Sequence, residues 1–328
     1  MKAEKKMQKA PALKKSTLLR VLFSALLCLL LLLGGLTRTF SNNLMRYLLQ
    51  IFLYISLGEA WNLLSGFAGM TSLGQQLYVG LAGYSLAIVT TLWGLPFSLG
   101  LLLGAAVSAA VAAALSVILF RMRGMYFAIA TWVAAEAAEK LFLSWKYVNQ
   151  GGGMTVRIVP YPDIYRIYVL ALALCVVTLL TVSMLLRSRM GLGLMAMRDD
   201  PEAAAASGVP LRRQRLQAYL LAAVLTALAG GVFFINKGVI YPESGFQVSW
   251  TVSSVFICII GGTGTLAGPV IGSVIYVLLQ EILAHYPGWS NIILGLITIL
   301  VIRLLPGGLA GDPRIHRLFS RLRRNWQG

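Results

Sequence analysis

Residues that commonly carry enzyme chemistry are scarce in this chain. Among 328 residues there are two histidines, His285 and His316, and three cysteines. Neither histidine has a cysteine or carboxylate at metal-ligand spacing, and the cysteines lie in apolar runs, as small buried residues do. The glycine-rich stretch 261–268 lacks the Gly-Lys-Ser/Thr ending of a phosphate loop. We therefore expect no catalytic residue, no metal, no cofactor and no nucleotide site on this chain.

Charge is also scarce, while apolar residues are abundant. Only 12% of residues are charged, 58% are hydrophobic and the mean hydropathy is +0.78. Apolar runs of about 20 residues, the length that crosses a bilayer as a helix, recur along the chain. The sequence therefore predicts an all-α fold: a polytopic transmembrane helical bundle of about 10 spans, with two glycine-rich broken helices.

The predicted organisation is one membrane domain between two basic ends. Residues 1–15 form a basic cytoplasmic arm, residues 16–310 the membrane domain with a cytoplasmic region at 187–215, and residues 311–328 a basic cytoplasmic tail. Alternation from a cytoplasmic N-terminus returns the C-terminus to the cytoplasm. The predicted spans are 18–37, 44–64, 70–93, 96–120, 124–144, 164–186, 216–235, 248–261, 268–285 and 289–305.

The formal net charge of +17 has a membrane explanation. The cationic residues cluster next to apolar spans, in the N-terminal arm, around the central polar stretch and in the tail. This distribution is typical of the positive-inside rule and of contact with anionic lipid headgroups. We expect membrane lipids as partners and no nucleic acid.

One long polar stretch, residues 194–219, interrupts the apolar sequence. Asp200 is suited to cap a helix, Pro201 to its first position and Glu202 to its positive end, while Gly208 can close it. A helix of about two turns is not stable alone in water, so we expect it to pack against another element. The alternative is an ordinary ordered loop.

Two glycine-rich stretches interrupt apolar sequence in the two halves of the chain, at 66–74 and 261–269. Paired interruptions of this kind indicate a translocation path, because unwound backbone at membrane depth must lie beside protein or water. Close helix packing through small residues is the alternative. The two explanations are compatible.

Polar residues inside the spans are the remaining candidates. Glu59, Glu136, Glu139 and Lys140 are ionisable, and Glu136 and Lys140 are spaced to pair on one helix face. Uncharged polar side chains near the first interruption could bind a passing solute or satisfy freed backbone groups. They are Asn62, Gln75 and Gln76.

Together these pieces resemble the M-type permease subunit of branched-chain amino acid ABC importers over about residues 50–310. Single motifs are weak, but their order and spacing are specific. The motifs are Asn62 to Gly69 followed by Ser72-Leu73-Gly74, Gly80 and Tyr84, Arg123 to Thr131 with Glu136, Gly151-Gly152, Met197 to Ala204, Gly208, Gly261 to Gly272, and Pro306 to Leu309.

The resemblance implies a multi-subunit importer in the cell inner membrane. This chain would pair with a homologous permease subunit, two cytoplasmic ABC ATPase subunits would dock beneath, and an extracytoplasmic solute-binding protein would deliver solute. The implied ATPase-coupling residues are Arg198, Asp199, Asp200, Glu202, Ala205 and Gly208. The implied path residues are Asn62, Gly69, Ser72, Gly74, Gln75, Tyr84, Glu136, Gly262, Gly264 and Gly268.

Some positions depart from the family pattern and leave the solute open. Gln75 stands where the family often has histidine, Gln150 where it often has threonine, Glu139 where a basic residue is usual, and Glu59 where an apolar or small one is usual. The solute is a branched-chain amino acid or, alternatively, urea or a short-chain amide. A stand-alone secondary transporter or channel, with Glu59 or Glu136 titrating, is the alternative from another class, and a scaffold without transport is the weakest.

Overall fold

The computed structural model describes residues 41–284, 289–305 and 307–311, and most of these are helical. The predicted all-α class is confirmed apart from one pair of two-residue antiparallel strands, β1 (Met154–Thr155) and β2 (Val239–Ile240). The helices are α1 (Asn42–Asn62), α2 (Gln75–Ala87), α3 (Phe97–Leu119), α4 (Met125–Ser144), α5 (Ile164–Arg187), α6 (Arg189–Asp199), α7 (Pro201–Ala206), α8 (Leu211–Lys237), α9 (Pro242–Gly245), α10 (Ser249–Gly261), α11 (Ala267–Leu283), α12 (Ser290–Leu304) and α13 (Gly308–Gly311).

Within the described residues, five helical segments are long and apolar enough to cross a membrane. They are Asn42–Phe67, Phe97–Leu119, Ile164–Arg187, Leu211–Lys237 and Pro242–Gly261, and each overlaps a predicted span. Helices α11 and α12 are apolar but shorter, and α4 carries three charged residues in the region predicted to span. The predicted span 18–37 lies outside the described residues. The count of about 10 and the cytoplasmic side of both termini stay predictions.

Helix α2 is the centre of the bundle. All its residues are buried, and it packs between α3 and α8. A Cβ atom at Gly80 would lie 2.4 Å from the ring of Phe246, and one at Gly83 would lie 2.5 Å from the ring of Phe234. These glycines allow the close approach that a side chain would block, as small residues do between membrane helices.

The long helices define two ends of the bundle. Helix α5 ends at Arg187, and Ser188 begins α6 by accepting hydrogen bonds from the amides of Met190 and Gly191. We call this the coupling end, because the central polar stretch lies here. The opposite distal end, where α5 begins at Ile164, is about 36 Å away at 1.5 Å per residue.

Candidate functional site

The short helix α7 has the predicted caps. One carboxylate oxygen of Asp200 accepts hydrogen bonds from the amides of Glu202, at 2.9 Å, and Ala203, at 3.0 Å. Pro201 occupies the first turn. Gly208 has a left-handed φ of 82°, and the amide of Val209 donates to the carbonyl of Ala204 at 3.0 Å. The capped-helix prediction is confirmed, and the ordinary-loop alternative is wrong.

Only one side of α7 is held by the protein. Ala204 is buried, and α7 packs against α6 and α8. Its other residues and both flanks are exposed, so a short helix is anchored at its inner side and open at its outer side. Among the predicted coupling residues, those with an exposed position are Arg198, Asp199, Asp200, Glu202, Ala205 and Gly208.

The first glycine-rich break begins where α1 widens into a π-helical turn at Leu63–Phe67. The amide of Ala68 donates to the carbonyl of Leu63 at 3.2 Å, which is the i to i+5 bond of that turn. Gly69 then adopts φ 67°, and the backbone stays non-helical until Gln75. The indole of Trp61 donates to the carbonyl of Ser72 at 2.9 Å and holds the break against α1.

The second break separates α10 from α11. Gly262 has φ 120° and Gly264 has φ 73°, conformations that side chains disfavour. A Cβ atom at Gly268 would lie 2.2 Å from the carbonyl oxygen of Gly262. The hydroxyl of Thr265 donates to the Gly262 carbonyl at 2.9 Å and accepts from the amide of Gly268 at 3.1 Å. The break is therefore a tight, hydrogen-bonded turn.

Asn62 joins the two breaks directly. Its amide nitrogen donates to the carbonyl of Thr265 at 2.9 Å, and its carbonyl oxygen accepts from the amide of Gly264 at 2.8 Å. The side chain is fully buried. A Cβ atom at Gly66 would lie 2.5 Å from the Gly264 nitrogen, so only glycine allows this approach. The paired interruptions are in contact at one site.

Arg198 brings the polar stretch into the same contact. Its guanidinium donates to the carbonyl of Gly66 at 3.0 Å and pairs with Asp199 at 2.8 Å. A Cβ atom at Gly69 would lie 3.1 Å from the Arg198 Cα. We name the set Asn62, Gly66, Gly69, Arg198 and Gly264 the coupling node. Arg198 therefore bonds toward the bundle, although its position on α6 is exposed.

Thr131 connects the first break to α4. Its hydroxyl accepts from the amide of Leu73 at 3.0 Å and donates to the carbonyl of Ala128 at 2.7 Å. A Cβ atom at Gly74 would lie 2.3 Å from the Thr131 carbonyl oxygen. The first break thus contacts the central polar stretch through Arg198 and α4 through Thr131.

Helix α4 lies at the surface with one face inward. Phe127, Ala128, Thr131 and Ala135 are buried, whereas the opposite face is exposed. Glu136 accepts a hydrogen bond from the indole of Trp132 at 3.1 Å. The Glu136–Lys140 pair that their spacing allows does not form: Lys140 pairs with Glu139 at 3.4 Å, and Glu136 instead accepts from Trp132, one helical turn earlier. The large hydrophobic side chains that α4 exposes are Met125, Tyr126, Ile129, Trp132, Val133 and Leu141.

The other polar path candidates are buried within the subunit. The side-chain oxygen of Gln75 accepts from the hydroxyls of Thr226 and Ser254, both at 3.5 Å, and the backbone amide of Gln75 donates to the hydroxyl of Thr251 at 3.1 Å. The Thr251 hydroxyl also donates to Gln76. Candidates buried in this way are Asn62, Ser72, Gln75 and Tyr84, whereas Glu136 is half-exposed. Whether any of them lines a path stays a prediction.

Several residues of this site were not among the sequence candidates. Gly66 and Thr265 lie inside the two glycine-rich stretches. The occurrence of such a stretch in each half of the chain was the sequence signal that could have identified them. Thr131 lies in a motif of the family resemblance but has no chemical signal of its own. Thr226 and Thr251 are isolated hydroxyls in apolar spans, and only the folded contacts reveal them.

The residues of the coupling node lie in a region of the chain that matches a known protein family. The family described as the permease component of branched-chain amino acid transport systems matches residues 43–302. This chain belongs to that family. The matched range contains both breaks, α4 and the polar stretch with Arg198. The permease is therefore a membrane transport protein of the ABC class, and its family is one of transporters and not of enzymes.

Individual relatives differ in how much of the permease they match. This chain is 26% identical to the high-affinity branched-chain amino acid transport system permease protein LivM of Escherichia coli, over 78% of this chain and 67% of the relative. It is 28% identical to the fructose import permease protein FrcC of Rhizobium meliloti, over 43% of this chain and 40% of the relative. It is 30% identical to the autoinducer 2 import system permease protein LsrC of Klebsiella pneumoniae, over 38% of each. No solved structure matches significantly.

Proposed function

We propose that this chain is one permease subunit of an ATP-driven ABC importer in the inner membrane. It pairs with a homologous permease subunit, docks on two cytoplasmic ATPase subunits and receives solute from an extracytoplasmic binding protein. Family membership supports the importer class, and the half-anchored helix α7 supports docking on a partner. A two-turn helix with one buried residue and an open outer side is suited to enter a cleft on another protein.

The observation that carries the coupling proposal is the Arg198–Gly66 hydrogen bond. Helix α7 follows α6 directly, so a push on α7 is transmitted to Arg198. Arg198 bonds to the first break, and Asn62 bonds that break to the second. Movement of the ATPase subunits would then reach both glycine-rich breaks through one side chain.

The exposed face of α4 is the proposed path surface. Thr131 ties α4 to the first break, so the coupling route extends from Arg198 to the helix that carries Glu136. The face combines apolar and aromatic side chains with Glu136 and with the Glu139–Lys140 ion pair, whose charges cancel, so that Glu136 carries the one uncompensated charge among them. In a pair of homologous subunits such a face suits a small solute with an apolar body and a charged amino group.

We propose a branched-chain amino acid as the solute, and this rests on the long match to LivM. FrcC and LsrC, named for fructose and autoinducer 2, match less than half of the chain. Calorimetry of the cognate binding protein with leucine, urea and acetamide separates the alternatives. Tight binding of urea or acetamide without leucine would overturn the amino-acid proposal and leave the importer proposal intact.

The coupling proposal is tested by breaking α7 in the reconstituted importer. Ala205→Pro removes a helix amide on the open side, whereas Ala205→Ser keeps the helix and serves as the control. Ala204 is less suitable because it is buried. We expect Ala205→Pro to abolish uptake and solute-stimulated ATP hydrolysis while membrane insertion is kept. Unchanged transport by Ala205→Pro would disprove coupling through α7, and solute flux by this chain alone would favour a secondary transporter or channel.

A further inference from the structure

A cavity of about 750 Å³ opens at the distal end of the bundle, far from the coupling node. Its walls come from the start of α3, the start of α5 and the segment that precedes α5. Two arginines and an apolar surface are its main features. The lining residues used below are Arg157, Arg166, Val169, Leu170 and Ala173.

The cavity has a positive rim. Arg157 and Arg166 both line it, and neither forms an ion pair with any residue in the described part of the chain. The acidic residue nearest in sequence, Asp163, is exposed and is not part of the lining. Two cations at one opening, with no carboxylate among the lining residues, favour an anionic ligand.

Below this rim the wall is apolar and belongs to a membrane span. Val169, Leu170 and Ala173 follow Arg166 on α5 at positions i+3, i+4 and i+7, so they continue one face of the helix downward. None of the three is fully buried. A charged rim directly above an apolar groove matches the layout of a phospholipid, with its headgroup at the interface and its acyl chains below.

The rim is held in place by the surrounding structure. The amide of Arg157 donates to the hydroxyl of Thr91 at 3.2 Å, and that hydroxyl donates to the carbonyl of Thr155. The hydroxyl of Tyr161 donates to the carbonyl of Ile235 and contacts that of Asn236 at 3.4 Å. The segment that carries Arg157 is thus tied to helices on both sides before any ligand binds.

We propose that this cavity binds one anionic phospholipid. Its phosphate lies between Arg157 and Arg166, and an acyl chain follows Val169, Leu170 and Ala173. A free phosphate ion uses only the arginines and leaves the apolar wall unoccupied. An acidic protein segment would likewise contact the arginines and leave the apolar groove along the membrane span unoccupied. The lipid uses both parts.

The test is native mass spectrometry of the purified full-length permease titrated with phosphatidylglycerol, with phosphatidylcholine and with inorganic phosphate. The Arg157→Gln, Arg166→Gln double variant removes the rim charge. Arg46→Gln is the control, because Arg46 is exposed near the start of α1, at the same end, and does not line the cavity. Leu170→Trp fills the groove and keeps both arginines. Thermal unfolding of each variant verifies that it is folded.

We expect wild type to prefer phosphatidylglycerol to phosphatidylcholine, and the double variant to bind phosphatidylglycerol about tenfold or more weakly, since each basic residue near the surface contributes to anionic lipid binding. Leu170→Trp should also weaken it, whereas Arg46→Gln should not. Equal binding to the double variant overturns the proposal, as does competition by phosphate together with unchanged binding to Leu170→Trp. Loss of solute-binding-protein docking in the double variant, with lipid binding unchanged, would identify a protein-docking surface instead.

Discussion

The guanidinium of Arg198 donates a hydrogen bond to the carbonyl of Gly66 at 3.0 Å, although the two residues are 132 positions apart. Gly66 belongs to the π-helical turn at the end of α1, and Arg198 lies in the last turn of α6, the helix before the proposed ATPase-docking segment. One side chain therefore joins the polar stretch to the glycine-rich break. This contact makes Arg198 the first residue to test.

Arg198→Ala should uncouple the importer. The change removes a charged donor and leaves the Gly66 carbonyl without that partner, a loss of about 1.5–3 kcal/mol for a bond to a charged group. We expect a severe loss of solute-stimulated ATP hydrolysis in Arg198→Ala. The rate in Arg198→Lys should be intermediate, because an ammonium lacks the planar fork of a guanidinium. Arg212→Ala, at an exposed position of α8, is the control. Equal effects of the changes at Arg198 and Arg212 would contradict a specific role for Arg198.

Gly69→Ala should be more harmful than Gly94→Ala. Both glycines have a left-handed φ, 67° and 63°, so both changes carry a backbone cost of about 1–2 kcal/mol. Only at Gly69 does the added methyl meet another element, 3.1 Å from the Arg198 Cα, whereas nothing lies within 4 Å at Gly94. Thermal unfolding and uptake assays on both variants separate the two costs. Equal thermal stability and equal uptake in the two variants would show that close packing of Gly69 against Arg198 is unimportant.

Asn62→Leu should disrupt the contact between the breaks. It removes both hydrogen bonds to the second break and leaves the partly buried Thr265 carbonyl and Gly264 amide without that partner, at up to about 1–3 kcal/mol for each group. Asn62→Asp keeps only the acceptor and should be intermediate or worse, because it places a charge in the core. Exposed Asn43→Leu is the control. Wild-type thermal stability and uptake in Asn62→Leu would remove Asn62 from the coupling route.

Glu136→Ala should reduce solute uptake without unfolding the subunit. Glu136 is half-exposed on the proposed path face, and within the described residues its carboxylate accepts a hydrogen bond from the indole of Trp132 and forms no ion pair. Glu139→Ala is the matched control on the same helix, because Glu139 already pairs with Lys140. We expect about a tenfold fall in uptake for Glu136→Ala, as for a lost charge-assisted contact, and little change for Glu139→Ala. Uptake that falls equally in both variants would argue against a path role for Glu136.

Local chemistry determined much of what the sequence predicted correctly. The caps of α7 follow from Asp200, Pro201 and Gly208, because each acts on backbone atoms within a few residues of itself. The apolar runs predict the long helices for the same reason, since length and hydropathy suffice to identify them. The family resemblance, carried by the order of short motifs, is confirmed by the match over residues 43–302.

Only the tertiary structure decided which distant residues meet. Nothing in the local sequence pairs Asn62 with Gly264, Arg198 with Gly66 or Leu73 with Thr131, because those hydrogen bonds depend on how α1, α4, α6 and the two breaks pack together. Local spacing also allowed a Glu136–Lys140 pair that does not form, because two residues, Trp132 and Lys140, lie one turn away on either side and the sequence does not rank them. Helix periodicity gives neighbours along one helix, whereas contacts between helices require the fold.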